Sequence, residues 1–278
     1  MSFKDILVHV DSTPASRVRL NLALSLARRF GARLSGLHVI PEPDVPPYFK
    51  PSAVARIARI YAENAREAAD LAEALFREET KDAGIATAWE CLAADMAEII
   101  AERARFADLL MLGQFDTENP PVISAFLLPA KVAFGAATPI LVIPNGVLSG
   151  AIGRRIVVAW DGSREAARAI RDAMPMLQDA DRVSLLTVDP LRQRHMHDGP
   201  NPSGLVAHLG RHGVVPEAME LSAGENSVTD ALLGHAAEFG ADLLVTGAYG
   251  HSRIWEFVVG GTTQDLLEKT TLPLLISR

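Results

Sequence analysis

The feature that most restricts the fold of this chain is that it is written twice. Ile6-Leu7-Val8-His9-Val10-Asp11-Ser12 resembles Ile156-Val157-Val158-Ala159-Trp160-Asp161-Gly162-Ser163, and the two aspartates lie 150 positions apart. Ala107-Asp108-Leu109-Leu110-Met111-Leu112-Gly113 resembles Ala241-Asp242-Leu243-Leu244-Val245-Thr246-Gly247, now 134 apart. Thr138-Pro139-Ile140-Leu141-Val142-Ile143 and Leu272-Pro273-Leu274-Leu275-Ile276-Ser277 keep the shorter offset. The first copy must therefore be longer in its middle. The extra length lies in Pro51–Gly84, where Val54, Ile57, Tyr61, Ala65, Ala68, Leu71 and Leu75 recur at three- and four-residue steps. That period predicts one long amphipathic helix. The second copy has only a short helix there, over Ser203–His212.

Each copy alternates short apolar strands with helices. In the first, strands are predicted at Asp5–Val10, Leu34–Ile40, Ala86–Leu92, Leu109–Leu112 and Ile140–Ile143. Helices are predicted at Thr13–Phe30, through the long segment, at Met96–Arg105 and around Ala130–Phe134. Near-continuous apolar strands separated by helices imply a parallel sheet covered on both faces. Right-handed crossovers then make it doubly wound and open. The expected fold class is α/β, with two tandem doubly wound open parallel sheets. At about 100–200 residues per domain, two domains suit the length. The expected boundaries are 1–144 for the first domain, 145–152 for a linker and 153–278 for the second.

Composition narrows the function classes. The net charge of -7 argues against a nucleic-acid binder, whose footprint is a basic face. A small anionic ligand stays allowed, because backbone amides bind phosphate without lysine. Cys91 is the single cysteine, so no intrachain disulfide forms; it is expected as a small buried residue. No apolar run approaches the roughly 18 residues of a membrane span. The first residues lack the pattern of a signal peptide, so a cytoplasmic location is expected.

In such a sheet, ligands bind beyond the carboxyl ends of the strands, where strand order reverses. In the second copy Asp161 ends the first strand, with helix capping and contact to a nucleobase or ribose both open to it. Thr187-Val188-Asp189 ends the second strand, where an ordinary strand end and a backbone edge that reads an adenine are both open. Gly247-Ala248-Tyr249-Gly250 follows the fourth strand, and Gly260-Gly261-Thr262-Thr263 comes nine residues later, at the start of the last helix. Glycines allow close backbone approach to an anion, and free amides at a helix start face a phosphate. His251 points either at that phosphate or at solvent.

Gly247-x-x-Gly250, nine residues, then Gly260 resembles the ATP-binding signature of the universal stress protein family. The strand ending in Asp161 and the strand Ala241–Gly247 are similar to that family too. The resemblance runs once per repeat, over essentially the whole chain. It implies an adenine nucleotide α-hydrolase-like fold, with the last strands of the two copies paired antiparallel across a pseudo-twofold axis as an internal pseudo-dimer. It leaves a homodimer of the whole chain open. It implies that Asp161 and Val188 border adenine and ribose, and that Gly247, Gly250 and Gly260 line the ribose-phosphate path. Gly261 stands where the family has a hydroxyl, and Thr262 comes one residue late. The ligand is expected to be ATP, AMP or ADP, in the C-terminal domain alone. The resemblance implies a regulatory or protective role in stress.

The first copy departs further. Gly113-Gln114-Phe115-Asp116 replaces the two-glycine turn, Phe126-Leu127 the second pair, and Pro120-Pro121 stiffens the stretch between. Asp116 sets a negative charge where phosphate would lie. No nucleotide is expected there, and Asp11 is expected to cap the helix starting near Pro14. His195, His197, His208 and His212 read as solvated residues rather than metal ligands, and no metal site is expected. No Walker or nucleophile-elbow motif is present, and no paired carboxylates mark a catalytic centre, so no enzyme is expected. The alternatives are a nucleotide-free interaction protein using the long helix, and a slow nucleotide hydrolase or transferase.

Overall fold

The computed structural model describes residues 2–41, 51–114, 128–146, 151–189, 202–248 and 261–278. The first copy runs β1 (Asp5–His9), α1 (Pro14–Phe30), β2 (Arg33–Ile40), α2 (Pro51–Thr80), β3 (Thr87–Ala93), α3 (Met96–Ala104), β4 (Leu109–Gly113), α4 (Leu128–Gly135) and β5 (Ile140–Ile143). The second runs β6 (Arg155–Ala159), α5 (Arg164–Gln178), β7 (Arg182–Val188), α6 (Pro202–Arg211), β8 (Glu217–Leu221), α7 (Val228–Phe239), β9 (Leu243–Gly247), α8 (Gly261–Lys269) and β10 (Leu274–Ser277). The extra length of the first copy is the 30-residue α2, against 10 residues in α6.

The two expected sheets are fused into one of ten strands, in the order β3-β2-β1-β4-β5-β10-β9-β6-β7-β8. Pairing is parallel within each copy and antiparallel where β5 meets β10. There Leu141 lies opposite Leu275, its own equivalent 134 positions on. Equivalent residues facing each other put a local twofold axis between them. Pairing these two apolar strands also removes the edge each copy would otherwise expose.

Strand side chains alternate between two cores. Leu109 and Met111 of β4 enter the core beneath α1, α2 and α5. Leu110 and Leu112 enter the core beneath α3, α4, α7 and α8. All four are fully buried. Helix α1 starts with Pro14 in its first turn and ends on Gly31 at φ 62°, a left-handed cap. From that end Arg29 reaches the second copy. It bonds the Asp179 carboxylate and donates to the carbonyls of Ile152 at 2.6 Å and Gly153 at 3.2 Å. Arg29 and Asp179 are themselves equivalent positions, so the twofold relation brings the ends of α1 and α5 together.

Two expectations are corrected here. Cys91 is exposed, because β3 is an edge strand of the sheet. The buried stripe of α2 also differs: Leu71 is 56% exposed, while Ala72 and Phe76 are buried. Phe76 packs over Gly36 of β2, where an added Cβ would lie 2.6 Å from its ring. The helix is turned to seat that ring, which also meets Trp89 at 5.1 Å between centroids.

Candidate functional site

Strand order reverses at β1 in the first copy and at β6 in the second. The carboxyl ends of these strands, with those of β4 and β9 beside them, are where such a sheet receives ligands. The two crevices have equivalent residues at their bases, and they are built differently.

In the second copy Ser163 caps α5, its Oγ accepting from the Ala166 amide at 3.0 Å. Asp161 does not cap the helix. Its Oδ1 accepts from the Ser163 amide at 2.9 Å and so shapes the turn before the cap. Gly162 within that turn has φ 79°, which a side chain rarely adopts. Gly247 ends β9 directly against the first turn of α5. A Cβ there would lie 2.5 Å from the Ala166 amide nitrogen and 2.6 Å from the Glu165 carbonyl carbon. Its glycine is thus demanded by helix backbone, a packing reason independent of any anion. Val188 is buried at the end of β7. Asp189 after it has a φ of 49°, and its Oδ1 accepts from the Ala223 amide at 3.0 Å, which holds the strand end bent.

Two further atoms at this end went unnoticed in the sequence. Trp160 Nε1 and Thr187 Oγ1 are buried without a hydrogen-bond partner. They precede Asp161 and Val188 on neighbouring strands, and Trp160 donates its backbone amide to the Leu186 carbonyl at 2.8 Å. An unmet buried donor costs about 1–3 kcal/mol, and Trp160 packs against the core beneath α5.

In the first copy the helix starts differently. Thr13 is the cap of α1 and its side chain makes no capping bond. Asp11 is not the cap either, which corrects the expectation for it. Its Oδ1 accepts from the Thr13 amide at 2.8 Å and from the Thr13 hydroxyl, and its Oδ2 accepts from Arg19 Nη2 at 2.6 Å. Arg19 is 2% exposed. It also donates from Nε to the His9 carbonyl at 2.8 Å and from Nη2 to Ser16 Oγ at 3.3 Å. A Cβ on Gly113 would collide with Arg19 Nη1. The guanidinium therefore fills the space between the ends of β1 and β4.

The electrostatics follow from that burial. Desolvation would raise the Asp11 carboxyl, but Arg19, His9 and the Thr13 bonds outweigh it and hold its pKa at about 2. His9 is pushed down to about 4, chiefly by burial, with Asp11 opposing and Arg19 and His38 adding to the shift. His9 Nε2 has no hydrogen-bond partner. Nothing in the sequence pattern singled out Arg19. Its only signal is alignment: the equivalent position, 150 residues on, is Ala169, which is fully buried.

Of the predicted site residues, Asp161, Val188 and Gly247 come together at the ends of β6, β7 and β9. Gly261 opens α8 as expected, with Thr262 in its first turn, and both are exposed. A Cβ on Gly261 would have nothing within 4 Å. Gly250, His251 and Gly260 lie outside the described residues, as do Asp116, Pro120, Pro121, Phe126, Leu127, His195 and His197. His208 of α6 and His212 just beyond its end have ring centroids 4.7 Å apart. Among the described residues no group of three or more His, Cys, Asp or Glu is arranged to hold a metal. Among them, too, no helix is long and apolar enough to cross a membrane.

A family model described as the universal stress protein family matches residues 2–119 and 153–278, once per repeat. The chain belongs to the universal stress protein family. A curated member, universal stress protein Slr1230 of Synechocystis, is 33% identical over 132 residues. That match spans 45% of this chain and 42% of that protein, so the chain aligns with under half of this relative's length. Among solved structures, a universal stress protein from Archaeoglobus fulgidus superposes with a TM-score of 0.69 at 15% identity, covering 99% of this chain and 96% of that one. A universal stress protein from Pseudomonas aeruginosa gives 0.61 at 15% identity, covering 99% and 93%. These likenesses show the family's tandem α/β fold.

Proposed function

We propose that the second copy binds an adenine nucleotide at the carboxyl ends of β6, β7 and β9, and that the protein acts as a regulatory or protective factor in stress. The observation that carries this reading is the contrast at the crevice base. Ala169 stands where Arg19 fills the first copy, so Asp161 meets no arginine from that position of the helix. Trp160 Nε1 and Thr187 Oγ1, on the strand ends next to Asp161 and Val188, are buried without partners. Asp161 and Val188 border the adenine and ribose. Gly247, Gly250, His251, Gly260, Gly261 and Thr262 follow the phosphates to the start of α8, whose free amides favour an anion.

Calorimetric titration of the full chain with ATP, ADP and AMP tests the reading. Binding of one equivalent supports it, and no heat at millimolar ligand overturns it. Gly250→Asp is expected to abolish the binding. Gly261→Ser has room for its side chain. A restored bond to a charged phosphate, worth about 1.5–3 kcal/mol, tightens ATP by roughly 10–150-fold.

A second reading has its own observation. Ile60 and Leu71 of α2 are 51% and 56% exposed, and a groove beside them is lined by Ile40, Pro41 and Tyr61. Exposed apolar residues along a helix suit a protein partner. Loss of a co-purifying partner on Leu71→Glu, with nucleotide binding unchanged, favours that use of the surface.

A further inference from the structure

We infer that Arg19 is a built-in substitute for ligand in the first copy, and that the exchange of arginine for alanine between positions 19 and 169 decides which crevice admits a nucleotide. The inference rests on the nucleotide reading of the second copy, and adds to it a determinant outside the glycine-rich loop. Asp11 and Asp161 are equivalent, and so are Gly113 and Gly247. In the first copy both groups face one guanidinium. Asp11 accepts from Thr13 through Oδ1 and from Arg19 through Oδ2, so each oxygen is already engaged. The His9 carbonyl at the strand end is taken by Arg19 Nε. Ser16 Oγ accepts from Arg19 Nη2 and receives the Asp11 amide at 3.0 Å. A ribose hydroxyl arriving at this strand end meets satisfied acceptors and a filled space.

The cation is held by three hydrogen bonds and is almost wholly buried, so it is not a surface arginine awaiting an anion. Leaving would take the guanidinium from its buried partners and deprive the part-buried Asp11 carboxylate of its cation, a costly way to break an ion pair. The first copy is consequently held in one state, and occupancy of the second copy is the remaining variable. In the second copy Ala169 is too short to play the part of Arg19, and the base of the crevice is closed instead by α5 backbone against Gly247.

The test has one arm with nucleotide and one without. In the first, ATP is titrated into the full wild-type chain and into Ala169→Arg. One equivalent for wild type and at least a tenfold loss of affinity for a folded Ala169→Arg are expected. Two equivalents for wild type, or unchanged affinity in the folded variant, overturn the inference while leaving the nucleotide reading intact. In the second arm Arg19→Ala is melted with millimolar methylguanidinium chloride or with sodium chloride at equal ionic strength. The variant is expected to melt about 10 °C below wild type. Methylguanidinium, binding the vacated place, raises that midpoint, as any ligand of the native state does. Wild type does not respond. A variant that melts with wild type, or two salts that act alike, overturns the inference. If Arg19→Ala is recovered only unfolded, methylguanidinium on refolding restores the native far-UV spectrum, and failure to do so counts against it. Should wild type bind no ATP at all, the nucleotide reading fails and the inference falls with it; should Ala169→Arg fail to fold, the stoichiometry of wild type and the second arm decide.

Discussion

The two strand-end crevices are built from equivalent elements and are closed at the base by different means. In the first, a charged side chain enters from α1 and bonds the carboxylate, the strand carbonyl and a serine. In the second, the helix backbone comes down onto Gly247 and the helix start is capped by Ser163. A charge buried in this way needs every one of its partners, whereas backbone packing needs only the absence of a side chain. The first copy is therefore fragile to the loss of one residue, and the second to the gain of one.

The largest effect that would break this contrast is expected at the ion pair. Arg19→Ala leaves Asp11 without its cation and is expected to cost about 3–5 kcal/mol in chemical unfolding. A cost under about 1 kcal/mol would mean that the guanidinium is not essential to the first copy.

Next comes the pH dependence of the same cluster. His9 has a folded pKa of about 4 against an ordinary 6.5. The unfolded chain takes the proton first, so this contribution to stability is complete above about pH 6.5 and is lost as pH falls towards 4. Its size is about 3 kcal/mol over that window. Asp11 adds to the loss only lower down, as pH falls from 3.8 towards about 2. Arg19 and His38, the other charged or titratable groups acting on His9, oppose its protonation. His9→Ala, which copies Ala159, is expected to flatten the stability profile between pH 6.5 and 4. An unchanged slope in urea melts across that range would contradict the buried neutral imidazole.

A smaller effect separates the two glycines. Gly247→Ala drives a methyl into helix backbone and is expected to cost about 1–3 kcal/mol. That penalty should persist in any background. Gly113→Ala instead displaces the Arg19 side chain, so its penalty is expected to vanish once Arg19→Ala is present. A double-mutant cycle measures this coupling, and additive costs would show that Gly113 and Arg19 do not share the space.

The smallest expected difference lies at the caps. Ser163→Ala removes a capping bond and is expected to cost about 1 kcal/mol. Thr13→Ala removes none from the helix amides, so its cost should be less than half of that. Thermal midpoints of the paired variants compare them, and equal losses would falsify the assignment of Ser163 as the stronger cap.

Much of the architecture was legible because it rests on local periodicity. Four- to eight-residue apolar strands and the long α2 follow from repeats and runs that need no knowledge of neighbours, while the antiparallel meeting of β5 and β10 was implied only by the family resemblance. The details that failed depend on neighbours. Cys91 looked like a core residue because cysteine is a small apolar side chain, yet β3 lies at the sheet edge. Leu71 fitted the helical stripe, but Phe76 fills the notch above Gly36 and sets the helix rotation. Asp11 and Asp161 looked like caps because they stand just before helices. Thr13 and Ser163, two residues nearer, take those positions. The candidate site was proposed from the aspartate and the spaced glycines, with Val188 added by the family resemblance, and Asp161, Val188 and Gly247 do lie at neighbouring strand ends. Arg19 was not legible, because an arginine on an amphipathic helix reads as solvated until the partners that bury it are known.

The sequence by itself determined that there are two copies, that each is a parallel α/β layer, and that their loops after the fourth strand differ. Those properties are written in spacing, hydrophobic period and residue type. The tertiary structure decided which side chain closes each crevice. That outcome depends on groups far apart in the chain, since Gly113 lies 94 positions from Arg19 yet adjoins it in space. Whether a buried charge is tolerated is settled only by the partners the fold brings to it, because the cost of desolvating it is offset by contacts and not by composition.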